Sequence, residues 1–181
     1  NASGLLLGRA DPPLDAVGET QADRLAGALP EVDRIIASPL TRTMQTAAAI
    51  GARHGIDVEL DERMIELDYG EWDQRPLESV TAEQWAAWRA DVDFTPPGGE
   101  SLRTLGIRVR SALDDLADEA ADRNVVVVTH VSPVKAGVAW AIDVGDDLAW
   151  RMFVAPASIT RISTARGTRS LHGFNESPAD P

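Results

Sequence analysis

Apolar and polar positions alternate along this chain in two rhythms that exchange repeatedly. Residues 18–29 carry apolar side chains at helical spacing, 32–37 read as a short strand, and 40–54 return to the helical period. Ser38 and Pro39 precede that second helix, which predicts serine at its cap and proline at its first position. Residues 58–60 form another short strand candidate, followed by a loop through Glu66 and Gly70, a helix from about 78 to 90, and a long helix over 101–121 started by Ser101. The tail alternates over 158–164 and 169–174 around Ala165-Arg166-Gly167-Thr168, the pattern of a hairpin. Strands interleaved with helices predict a layered α/β fold with a mainly parallel sheet. The Pro96-Pro97-Gly98-Gly99 stretch is too short to divide the chain, so 1–181 is read as a single domain.

The most informative segment is Val125-Val126-Val127-Val128-Thr129-His130-Val131-Ser132-Pro133. A run of branched apolar residues suits a buried parallel strand, and the helix predicted over 133–142 begins directly after it. Open α/β folds place chemistry at such carboxyl ends of strands, where free N–H groups of the next helix attract anions. His130 is therefore a candidate phosphate-handling group.

Composition narrows the partners. Acidic residues outnumber basic ones 29 to 17, giving a net charge of −12, which argues against nucleic acid because phosphate-backbone binding needs a basic stripe. An anionic substrate must then be held by a few local cations. Cysteine is absent, and the three histidines, His54, His130 and His172, lack ligand spacing, so neither a metal nor another cofactor is implied. His54 and His172 are expected to pack or be exposed. Without a long apolar run or signal-peptide regions, the expectation is a soluble cytoplasmic protein with no membrane partner. No unexplained apolar stripe is evident, leaving monomer and homodimer both open. Lys135 is the only lysine and is expected to be a solvated helix residue.

Several segments, in order, resemble the histidine phosphatase superfamily, the phosphoglycerate mutase-like family. NASGLLLGRADPPL (1–14) is similar to the segment that follows its Arg-His-Gly motif, ASPLTRTMQTA (37–47) to its second arginine motif, and ELDYGEW (66–72) to its acid-donor loop. PGGESL (97–102) resembles its helix-starting turn, and Thr129-His130 its second histidine. The resemblance implies a three-layer sandwich with helices on both faces of the sheet. It also implies a metal-independent phosphatase working through a phosphohistidine on a small phosphorylated metabolite. The family's nucleophilic histidine, in Arg-His-Gly, is then expected just upstream of Asn1, on a strand central to the fold.

By the same resemblance, Arg42 would bind phosphate oxygens with its planar fork. His130 would stay cationic or donate hydrogen bonds to the phosphoryl group. Glu66 would donate the leaving-group proton and later activate water, which requires burial to raise its pKa. Asn1 would hydrogen-bond phosphate, with Leu7, Gly8 and Val131 completing the substrate-binding set. Segment 67–99 is read as a substrate lid; Trp85 and Trp88, three apart, are expected to pack on the core, with Trp72 on the same segment. Arg75 and Arg89 are candidate readers of a second acidic group. Val131 replaces a glycine usual in the family, and Leu7 stands where mutases present a polar contact; both argue for hydrolysis over the mutase reaction. A mutase-type phosphotransferase and a non-catalytic binder of a phospho-ligand or partner protein remain as alternatives.

Overall fold

The computed structural model describes residues 4–178. A parallel three-stranded sheet in the order β2-β1-β3 organises it, with β1 at Arg34–Ala37, β2 at Val58–Leu60 and β3 at Val125–Val128. Ile35 pairs with Val58 on one side and Val126 on the other, so all three strands end level. The central strand β1 is the most enclosed: Ile35 and Ala37 have no exposed surface.

Helices α1 (Ala16–Ala28) and α2 (Thr41–His54) pack against one face, where Leu25, Ile35, Ala47, Ile50 and Val128 form a core. Helices α3 (Ala82–Ala90), α4 (Leu102–Ala117) and α5 (Val131–Ile142) belong with the second core, in which Met64, Leu105 and Val109 join an aromatic cluster. Val127 turns to this second core while Val126 and Val128 face the first, the period-two alternation of a strand covered on both faces. The tail forms a separate antiparallel hairpin, β4 (Ile159–Ser163) with β5 (Ser170–Glu176). None of the described helices is long and apolar enough to cross a membrane.

The boundaries of α3 and α4 depart from the sequence pattern. The third helix begins at Ala82, because Thr81 and Gln84 close a reciprocal capping box, and 77–79 form only a 3₁₀ turn. The long helix ends at Ala117 and gives way to a 3₁₀ turn at 119–121, with Ser101 as its cap as expected. The edge of β3 opposite β1 pairs with no described strand. A groove of about 850 Å³ runs beside it, between α1 and α2 on one wall and residues 154–163 on the other, and reaches His130.

Candidate functional site

Level strand ends bring Ser38 and His130 together. The register places Ala37 opposite Val128, Ser38 donates its N–H to the Val128 carbonyl at 3.0 Å, and the Ser38 hydroxyl lies 2.7 Å from His130 Nε2. Ser38 is therefore not the helix cap that its sequence position suggested. Leu40 occupies the cap position without a side-chain bond, and Asp11 takes the free Thr41 N–H at 2.6 Å and its hydroxyl at 2.7 Å. The buried serine is committed to the imidazole instead.

Arg42, the second residue of α2, reaches back to the strand ends. Its Nη1 donates to the Ala10 carbonyl at 2.8 Å and its Nη2 to the Gly8 carbonyl at 3.0 Å. Asp73 grips the same loop from its N–H side, accepting from Gly8 at 2.8 Å and Ala10 at 2.7 Å. Residue 8 must be glycine, since a Cβ would overlap the Leu67 carbonyl oxygen and press on the Tyr69 ring at 2.9 Å. Burial lowers the Arg42 pKa, offset by Glu66, Asp11 and Asp73, and the guanidinium stays cationic at neutral pH. Two of its five N–H groups serve the loop, which leaves the others for an anion.

Glu66 is buried, only 4% exposed. Its Oε1 accepts from the Leu67 N–H at 2.7 Å, and its two oxygens lie 3.3 and 3.4 Å from the Ser132 N–H in the first turn of α5. Burial dominates and raises its pKa, against those bonds and the Arg42 charge. A carboxyl held toward its neutral form can donate a proton at neutral pH. Arg108 fixes the loop beneath it, donating from Nη1 to the carbonyls of Arg63 and Ile65 at 2.6 and 2.7 Å and from Nη2 to that of Glu66 at 3.2 Å. Glu100 in turn accepts Arg108 Nε and Nη2 at 2.8 Å each.

His130 caps α5 with its backbone and is almost fully buried, which drives its pKa down to about 3, aided by the charges of Arg42, Arg108 and Arg9. Of the two expected roles, this favours the second: the imidazole is neutral at neutral pH, and a ring N–H can donate to an anion. Arg42, Glu66 and His130 thus come from three distant segments, and the Arg42 charge acts on both of the others. A half-buried guanidinium beside helix N–H groups, a neutral imidazole and a carboxyl held toward its protonated form make a pocket for an oxyanion with a proton donor at hand.

The sequence profile of the histidine phosphatase superfamily (branch 1) matches residues 1–177 of the chain. The chain belongs to that superfamily. The Bifunctional protein Rv2228c of Mycobacterium tuberculosis is 31% identical over 159 residues, 84% of this chain and 44% of its own length. A Probable phosphoglycerate mutase GpmB of Yersinia enterocolitica is 39% identical over 137 residues, 72% of this chain and 63% of its own. The chain therefore spans less than two thirds of these curated relatives. Among solved structures, the native mycobacterial glucosyl-3-phosphoglycerate phosphatase Rv2419c superimposes with a TM-score of 0.86 at 26% identity, covering 98% of this chain and 93% of that one.

Within this superfamily chain, the remaining expected residues sort unevenly. Gly8 lies in the clamped loop, Leu7 is half-buried beside it, and Val131 is exposed at the start of α5; Asn1 lies outside the described residues. Trp72 and Trp88 are buried, Trp88 stacked on Trp85 at 5.5 Å between ring centres. Arg89 sits over the rings of Trp85 and Trp150, and Arg75 donates to the Ser79 carbonyl at 3.3 Å, so both have partners within the fold. Sequence reading missed Ser38, Asp73, Arg108, Ser132 and Tyr69. Tyr69 and Glu66 share the Ser132 hydroxyl, and burial pushes the phenol pKa up. Asp73 and Tyr69 flank the ELDYGEW motif residue Gly70, which was the available signal; nothing local marks Arg108.

Proposed function

We propose that the chain is the phosphatase domain of a metal-independent phosphomonoester hydrolase that acts on a small phosphorylated metabolite through a phosphohistidine. The observation that carries this reading is the convergence of Arg42, Glu66 and neutral His130 at the ends of β1 and β3. The solved glucosyl-3-phosphoglycerate phosphatase and the superfamily match support phosphoryl chemistry. In this reading the nucleophile is a histidine carried by a further segment that would lie along the unpaired edge of β3, where the groove reaches His130.

In the first step the histidine nitrogen attacks phosphorus, and the bond to the ester oxygen breaks. Arg42 and His130 hydrogen-bond the equatorial oxygens where charge spreads, and Glu66 gives its proton to the departing alkoxide. Glu66, now a carboxylate, then takes a proton from water as that water attacks the phosphohistidine. Alcohol and inorganic phosphate leave with the histidine restored.

The test uses the full-length protein. Wild type should release phosphate from alkyl and p-nitrophenyl phosphates and form an acid-labile phosphoenzyme. Glu66→Gln should slow alkyl phosphates roughly 10²–10⁴-fold, yet give a p-nitrophenol burst, because that leaving group needs no proton. No phosphoenzyme, or an unchanged Glu66→Gln rate, overturns the proposal. The GpmB relatives favour a mutase as the second reading; isomer formation from a phosphoglycerate without net phosphate release would establish it.

A further inference from the structure

Lys135 stands apart from every other cation of the chain. It is the sole lysine among 17 basic residues, it is half-buried in α5, and among the described residues it makes no hydrogen bond or ion pair. Burial lowers its pKa, and the one charge acting on it is that of Glu66. At about 3.6 residues per turn, position 135 lies between Val131 and Ser132 on the helix surface, and side chains lean toward the helix N-terminus. The ammonium is thus carried toward exposed Val131 and the Ser132 that touches Glu66, whose charge it feels.

A second cation is only partly satisfied at the same site. Arg9 approaches Glu100 no closer than 3.7 Å, that carboxylate is already gripped by Arg108, and Arg9 Nε is buried without a partner. Its charge reaches His130. In a chain so rich in carboxylates, partly buried cations without close counterions mark a place for a ligand anion. Arg42 already suits the transferring phosphoryl group, and Arg75 and Arg89 are engaged elsewhere.

We infer that Lys135, with Arg9, reads a second anionic group of the substrate, a carboxylate or phosphate carried a few bonds from the ester. This rests on the hydrolase reading above and narrows its substrate to doubly anionic monoesters. Lys135 here is a specificity residue, since an ammonium offers charge without fixed geometry, whereas Arg42 supplies the planar fork.

The experiment compares kcat/KM of the full-length protein for 3-phosphoglycerate and for glycerol 3-phosphate, which differ by carboxylate against hydroxymethyl. Wild type should prefer the carboxylated ester by about tenfold or more, the scale of one charge contact. Lys135→Met should collapse that ratio mainly through KM, Lys135→Arg should retain most of it, and Arg9→Met should reduce it. The melting temperature of Lys135→Met should equal or exceed that of wild type, because an unpaired half-buried charge is removed. A ratio near one in wild type, or a ratio unchanged in Lys135→Met, overturns this inference while the hydrolase reading stands. Failure of wild type to hydrolyse even p-nitrophenyl phosphate removes the hydrolase reading itself.

Discussion

Replacing Arg108 with methionine keeps the aliphatic stem and removes five hydrogen bonds at once, two to Glu100 and three to backbone carbonyls of residues 63–66. The side chains of Arg108 and Glu100 are only 17% and 11% exposed, so water cannot fully replace what is lost. Removing one partner of a buried pair costs about 3–5 kcal/mol, and the residual exposure favours the lower end, about 3 kcal/mol. For a chain of 181 residues this corresponds to a fall in Tm of roughly 6–12 °C. Arg103 provides the internal control: it grips Asp93 with the same two-pronged geometry, but the two side chains are 52% and 57% exposed. Arg103→Met should leave the urea midpoint, followed by far-UV circular dichroism, where it was. Adding Glu100→Gln to Arg108→Met should recover part of the loss by neutralising the stranded carboxylate. Equal destabilisation by Arg108→Met and Arg103→Met would refute the assignment of Arg108 as the buried anchor of the Glu66 loop.

His130, whose pKa falls from 6.5 unfolded to about 3 folded, makes the unfolded chain bind more protons between those values. Stability should therefore fall as pH drops below about 6.5, by up to about 1.4 kcal/mol per pH unit. Denaturant midpoints at pH 7 and 4.5 should show this loss reduced in His130→Asn. Glu66 works the other way, since its raised pKa favours proton binding by the fold, so Glu66→Gln should steepen the acid loss. Gly8→Ala should destabilise by about 1–3 kcal/mol through overlap with the Leu67 carbonyl, seen as a lowered urea midpoint. Trp88→Ala, which empties the centre of a cluster formed with Tyr69, Trp72, Trp85, Phe94 and Trp150, should cost about 3–5 kcal/mol by the same assay.

The layered fold was legible because its signals are local: four valines in a row, a cap at Ser101, and helical spacing over α2 and α4. Arg42, Glu66 and His130 were legible as motif residues. Their shared environment was not, since burial and mutual charge arise only when three segments meet. Ser38 shows the failure most plainly. Its neighbours spell a helix start, yet strand register sets it against His130, and a carboxylate from residue 11 takes over the cap. Lys135 read as a solvated surface charge for the same reason: its missing counterion is a property of the assembled helix N-terminus.

Gly8 and Ala10 hold Arg42 by their carbonyls. A long side chain captured on the surface would have to surrender up to about 2 kcal/mol of rotational freedom to seize an anion. Here that loss has already occurred during folding, so nearly the whole attraction between guanidinium and phosphate is left to express itself as affinity. Rigidity in the 8–10 turn is thereby a determinant of anion capture, and Asp73, which need never meet the ligand, sets its tightness from behind.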